Sequence, residues 1–219
     1  MTFILECHDV GRRFSDGQRE IDVLRNFSAQ WRLGSLVGIG GPSGAGKSTL
    51  LGILAGLDSS YTGSVKLNGR EFSELSESDR AQLRQRHVAF AFQTPHLFPH
   101  LNIRQNLEVA ADISNSHQQL ENHLEEFTER LSLQALLEKP PETLSGGERR
   151  RASLLRTVLS PANVLLFDEP GAHLDTALQR EVMSLLQDVA SAGKLVLFSS
   201  HNLEHLNRAD CQFRLGGDH

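Results

Sequence analysis

The segment Gly41-Pro42-Ser43-Gly44-Ala45-Gly46-Lys47-Ser48-Thr49 holds glycines, a lysine and three hydroxyl side chains and matches the spacing G-x-x-x-x-G-K-[ST]. Glycines permit a loop whose backbone N–H groups converge on phosphate oxygens, and a helix opening near Lys47 adds the positive end of its dipole. Lys47 would place its ammonium on the β and γ phosphates, and Ser48 would offer a hydroxyl to Mg2+. The chemistry implied is binding of ATP with a divalent metal. An ordinary glycine-rich turn is the competing explanation. The context disfavours it, because the apolar run SLVGIG leads into the loop and Leu50, Leu51, Ile53, Leu54 and Leu57 follow as a buried helical stripe.

A phosphate cradle calls for further groups, and the stretch NVLLFDEP supplies two of them at the end of an apolar strand, Asp168 and Glu169. Adjacent strand residues point to opposite faces, but where the strand ends the chain can turn both carboxylates to one site. Asp168 would hold Mg2+ through water. Glu169 would act on the water that attacks the γ-phosphate, as general base or as an orienting group. The stretch KLVLFSSH repeats the pattern and delivers His201 at a strand end, where ligands of open α/β sheets bind. His201 is expected to touch the γ-phosphate. The i, i+4 pair His201 and His205 could suggest zinc, yet it lacks the H-E-x-x-H order and a third ligand.

The stretch TLSGGERRRASLL places Ser145 and Glu148 at capping-box spacing around two glycines, Gly146 and Gly147. A capping box does not require those glycines. A helix mouth that lays bare N–H groups against a phosphate would use them. Since Gly41 to Thr49 already serve one set of phosphates, the second anion site is best used on another copy's nucleotide, which predicts a head-to-tail dimer with ATP in each seam. Arg149, Arg150 and Arg151 are read as a solvated helix face, and the histidines of PHLFPHL as surface groups near a partner contact.

These residues need elements to hold them. FILECHDV and IDVLRNFSAQW, separated by an Asp16-Gly17 turn signal, predict an opening antiparallel sheet. Residues 102–138 carry helical periodicity without strand signals, and NVLLF and KLVLFSS are continuous apolar runs joined by a helix from about Thr176 to Ala190. The expected fold is α/β, a P-loop NTPase core with a mostly parallel sheet, an N-terminal antiparallel β subdomain and an inserted α-helical subdomain at about 94–160, all in one domain. A length of 219 residues is enough for such a core. The net charge of −5 argues against a surface that binds nucleic acid non-specifically. Cys7 and Cys211 sit in β-like stretches and are expected to be buried small residues rather than a disulfide. The start MTFILECHDV is too broken by polar residues for a leader, and no run approaches a spanning helix, so a cytoplasmic chain is expected.

With the phosphate loop, LSGGE and the DE strand end together, the chain resembles the ATP-binding subunit of an ATP-binding-cassette (ABC) transporter over nearly its whole length. The resemblance implies that Phe14 stacks on adenine and that Gln93 in FAFQTPHLF reaches the metal and the attacking water. It implies that Leu174-Asp175 form a loop coupling the two sites of a dimer, with Asp175 near the nucleotide, and that the helical subdomain receives a membrane permease. The chain would then sit on the inner face of the cytoplasmic membrane through that permease. Residues 67 to 107 look closest to the lipoprotein-releasing and macrolide-export branch, and a long regulatory extension of the kind found on some sugar-importer subunits is not expected. Gly171 and His173 stand where Thr or Ser and Asn or Ala are more usual, Arg149 where Gln is frequent, and Gln105 for a frequent Glu. Alternatives are a soluble ATPase of the same cassette acting on nucleic acid or ribosomes, or a nucleotide-dependent regulator of a membrane complex. The single cassette and lack of sustained heptads disfavour the soluble one.

Overall fold

Strands β7 (Val164–Phe167) and β8 (Leu195–Ser200) are buried on both faces, and their side chains alternate between two cores. Val164, Leu166, Leu195 and Leu197 enter one core, while Leu165, Phe167, Val196 and Phe198 enter the other. Continuous apolar runs are what a strand covered on both faces requires. Together with β3 (Leu36–Gly40), β6 (Val88–Ala91) and β9 (Cys211–Arg214) they form a five-stranded sheet in the order β6-β7-β8-β3-β9, with every pairing parallel. A computed structural model of the chain describes residues 3–15, 17, 19–114 and 117–216; Asp16 of the expected turn lies outside them.

A second sheet is antiparallel and has the order β2-β1-β4-β5, built from β1 (Leu5–Ser15), β2 (Glu20–Trp31), β4 (Thr62–Leu67) and β5 (Arg70–Glu71). Helix α1 (Lys47–Leu54) lies between the sheets, and its Leu50, Leu51, Ile53 and Leu54 are fully buried. Leu57, expected in that stripe, is instead 49 % exposed. The helix stops before it, and Gly56 at φ 68° turns the chain away, since only glycine enters that region without cost.

Helix α2 (Glu77–His87) leads into β6, and α3 (Ile103–Ser114), α4 (His117–Arg130) and α5 (Gly146–Val158) intervene before β7. Helix α3 packs on both α4 and α5, and α5 leans on β6 and β7. One core therefore runs from Phe167 and Leu165 of the sheet through Leu155 and Leu107 to Phe127. Helix α6 (Thr176–Ser191) covers the same face between β7 and β8, and the short α7 (Leu203–Leu206) precedes β9. Strand β9 is an edge, which explains a second departure: Cys7 is buried as expected but Cys211 is exposed. Burial pushes the Cys7 thiol up to about 12. Among the described residues, no helix is long and apolar enough to cross a membrane.

Candidate nucleotide site

The carboxyl ends of β3, β7 and β8 open onto one cleft of about 820 Å³, lined by Ser43, Gly44, Gly46, Lys47, Ser48 and Thr49 on one side. Gln93, Glu169, His173, His201 and His205 face them. Gly41, at φ 146°, has no room for a side chain, because a Cβ there would lie 2.6 Å from the Leu215 carbonyl oxygen. Gly46, at φ 90°, caps α1 in the left-handed region and packs against Val23. These two glycines set the loop close to the sheet, while Pro42 and Ser43 are exposed and Ala45 is half-buried. Lys47 is 8 % exposed. Its ammonium donates to the Gly41 and Pro42 carbonyls at 2.9 and 3.0 Å.

Glu169 adopts φ 53°, a region costly for a residue with a Cβ and worth notice beside a ligand cleft. Both its peptide groups are tied down. Its N–H donates to Ser199 Oγ at 2.8 Å, and its carbonyl accepts from Arg150 at 2.6 Å and from the Ala172 N–H. The carboxylate so placed lies 3.6 Å from the Lys47 ammonium and accepts a 3.1 Å hydrogen bond from His201 Nδ1. Because a carboxylate only accepts, His201 Nδ1 must carry the proton here. Asp168 is 7 % exposed behind the cleft and accepts from the Ser199 hydroxyl at 2.6 Å, so one serine bridges the acidic pair.

The motif spacing does not mark Arg150 or Ser199. Arg150, expected on a solvated face, is 9 % exposed, since the lean of α5 on β6 and β7 turns that position inward. Burial pushes its guanidinium pKa down, and the charges of Glu169 and then Asp168 oppose the shift. Ser199 and Ser200 were legible as two hydroxyls ending an apolar run, because buried hydroxyls need partners. His205 does not pair with His201. It is 7 % exposed, with Nδ1 3.3 Å from Ser200 Oγ and Nε2 3.1 Å from Gln179 Oε1.

The remaining residues singled out in the sequence lie apart from this cleft lining. The capping box of Ser145 and Glu148 forms at the start of α5. A Cβ on Gly146 would meet nothing within 4 Å, and one on Gly147 only the tip of Arg151 at 3.9 Å. No packing within the chain therefore asks for either glycine. Phe14 lies next to the end of β1, 41 % exposed, with the Arg12 guanidinium 4.1 Å above its ring. Asp175 caps α6 by accepting from the Leu178 N–H. Among the described residues no group of three or more His, Cys, Asp or Glu could hold a metal ion. Ser48, Gln93 and Asp168 are hard oxygen donors, which fits a Mg2+ ion that takes the rest of its shell from phosphates and water.

A parallel sheet with a phosphate loop after β3 and an acidic pair after β7 defines a P-loop nucleotide-binding fold. The family model described as ABC transporter matches residues 24–172, and the chain belongs to that family. Among curated relatives, the "Probable export ATP-binding/permease protein MacB" of Pseudomonas entomophila is 40 % identical over 200 residues, covering 91 % of this chain. The "Macrolide export ATP-binding/permease protein MacB" of Salmonella choleraesuis is 36 % identical over 203 residues, covering 92 % of this chain. The chain spans 30 % and 31 % of the lengths of these relatives. A dimeric structure of the ATP-binding cassette MJ0796, in a post-hydrolysis state bound to ADP and Pi, has the same fold at a TM-score of 0.86. It is 24 % identical and the match covers 96 % of this chain and 94 % of that one.

Proposed function

We propose that this chain is the ATP-hydrolysing, energy-coupling part of an ABC transporter of the export or lipoprotein-release type. The observation that carries the reading is Glu169, held with both peptide groups anchored between Lys47 and His201 at the mouth of the phosphate loop. In this reading the N–H groups of residues 43–48 receive the phosphates, and the Lys47 ammonium leaves the Gly41 and Pro42 carbonyls for the β and γ oxygens. Mg2+, when bound, neutralises charge on the phosphate oxygens; Ser48 and Gln93 would face it, and Asp168 would hold it through water. Glu169 orients or deprotonates the attacking water, and His201 lies within reach of the γ-phosphate. Phe14 offers its free face to the adenine.

The vacant space over Gly146 and Gly147 supports a second copy of the chain as the other wall of the site. There Ser145 to Glu148 would present N–H groups to the partner's γ-phosphate, with Asp175 nearby. ATP then closes the dimer and hydrolysis reopens it. The helices between β6 and β7, about residues 94–160, would receive a permease beside Gln93, where Phe92 and Phe98 are 44 % and 48 % exposed. That permease lies on another chain or on a further segment of a longer polypeptide, and it holds the cassette at the inner membrane face. Gentle extraction of the tagged chain from native membranes tests this. A copurifying permease whose addition alters ATP turnover is expected; exclusively soluble partners would overturn the coupling role.

A further inference from the structure

His205 is buried at the cleft yet takes no part in the chemistry assigned to Lys47, Glu169 and His201. Its surroundings form a continuous hydrogen-bonded path. The Asn202 N–H donates to Ser200 Oγ at 3.0 Å, and Ser200 Oγ lies 3.3 Å from His205 Nδ1. His205 Nε2 faces Gln179 Oε1 at 3.1 Å, and the Gln179 amide nitrogen donates to the Leu174 carbonyl at 2.8 Å. The donors fix the direction. Gln179 Oε1 can only accept, so His205 Nε2 carries a proton, and burial, which lowers the ring's pKa, favours the neutral form in which Nδ1 accepts from the Ser200 hydroxyl. The ring bridges the two loops that follow the paired strands β7 and β8. One is the end of β8 with His201; the other is the turn 171–175 after Glu169, which leads to Asp175 at the start of α6.

Gly171 makes this path possible. A Cβ at that position would stand 2.6 Å from His205 Cε1 and 3.2 Å from Nδ1, so a larger residue would expel the ring. The small residue at 171 and the histidine at 205 belong to one arrangement. His173, in the same turn, takes φ 62°, so the turn it belongs to is held in a costly shape. Charged and titratable groups around the ring are Glu204 and Arg208 on its own stretch, Glu169 after β7 and His201 after β8.

We propose that His205 is a positioning residue: through Ser200 and Gln179 it locks the turn 171–175 to the end of β8, so that the segment expected to face a second copy moves with His201. The proposal rests on the ATPase reading for its consequence, while the mechanical link itself stands on the contacts alone. The test follows hydrogen exchange at the Ala172 and Leu174 amides, which bond to the Glu169 and Gly171 carbonyls in the resting turn. Variants are His205→Phe, which keeps ring bulk without hydrogen bonds, Gln179→Leu, which keeps the histidine, the double variant, and His205→Gln, which can still donate to Gln179. MgATP turnover is read alongside.

Expected is exchange at 171–175 faster by about tenfold in each of the first two variants, the scale of one lost hydrogen bond, with β7 and β8 unchanged. The double variant should be no worse than either single one, and His205→Gln should recover most of the protection. In turnover, kcat should fall while KM for MgATP stays within about twofold, as for a residue that acts through another. Exchange at the parent rate in both single variants overturns the proposal, and so does acceleration spread evenly through the chain. Absence of ATP turnover in the parent would overturn the functional reading and leave the exchange result to decide the link.

Discussion

Gly171→Ala is the substitution whose cost the structure fixes most closely. The added methyl would lie 2.6 Å from His205 Cε1, about 1 Å inside the roughly 3.5 Å at which carbon atoms touch. Gly171 does not sit in the left-handed region, so the backbone accepts alanine and the whole effect is steric. The ring is 7 % exposed and cannot swing freely to solvent. Overpacking of this kind costs about 1–3 kcal/mol. Displacing the ring also breaks its contacts to Ser200 and Gln179, at about 1 kcal/mol for the pair after partial repair by water. The sum is about 2–4 kcal/mol, which lowers Tm by roughly 4–16 °C in a domain of this size. The assay is thermal and urea unfolding of the parent, Gly171→Ala, His205→Val and the double variant. Removing the ring makes room for the methyl, so the double variant should recover about 2 kcal/mol relative to the sum of the singles. Additivity within about 0.5 kcal/mol would refute the packing argument.

Further expectations concern the groups that surround this contact. Burial lowers the pKa of His205 from 6.5, the largest cause, so the unfolded chain takes up its proton first as pH falls. Its stabilisation is full above pH 6.5 and is lost as pH drops through the lower folded value; Tm measured against pH should fall more steeply in the parent than in His205→Phe, and parallel curves would contradict this. Arg150→Met removes the clamp on the Glu169 carbonyl. It should lower ATP turnover about 10- to 100-fold, at a cost in urea stability of only about 1–2 kcal/mol; parent-like turnover would remove Arg150 from the site. Gly146→Val meets open space within the chain, so unfolding should change by under about 1 kcal/mol while ATP-dependent dimerisation, read by light scattering, is abolished. A variant that still dimerises would mean that this helix mouth faces no partner nucleotide.

The parts of the molecule that could be read from residue order are those governed by short-range rules. The phosphate loop, the apolar strands β7 and β8 and the capping box of α5 each obey a pattern confined to a few neighbours. Leu57 continues the helical periodicity but lies past Gly56, a stop signal in the sequence that ends the helix before it. Arg150 is a different matter. Three consecutive arginines leave the rotation of α5 on the sheet undetermined, and only its packing on β6 and β7 turns the middle one inward. Cys211 stands outside because β9 is an edge strand, a property of strand order and not of its own composition. The path through His205 was hidden for the same reason, since its partners Gln179 and Gly171 lie some thirty residues away in sequence and meet it only once β7 and β8 pair.

The most direct test of the central claim is phosphate release from MgATP by the purified chain beside its Glu169→Gln variant, with dimerisation followed in the same samples. Glutamine keeps the shape and the contact to His201 but can neither hold a negative charge nor take a proton. Expected are turnover in the parent, at least about a hundredfold less in the variant, and an ATP-bound dimer that persists in the variant and dissolves in the parent as ATP is consumed. Equal turnover in the two proteins would contradict the role given to Glu169.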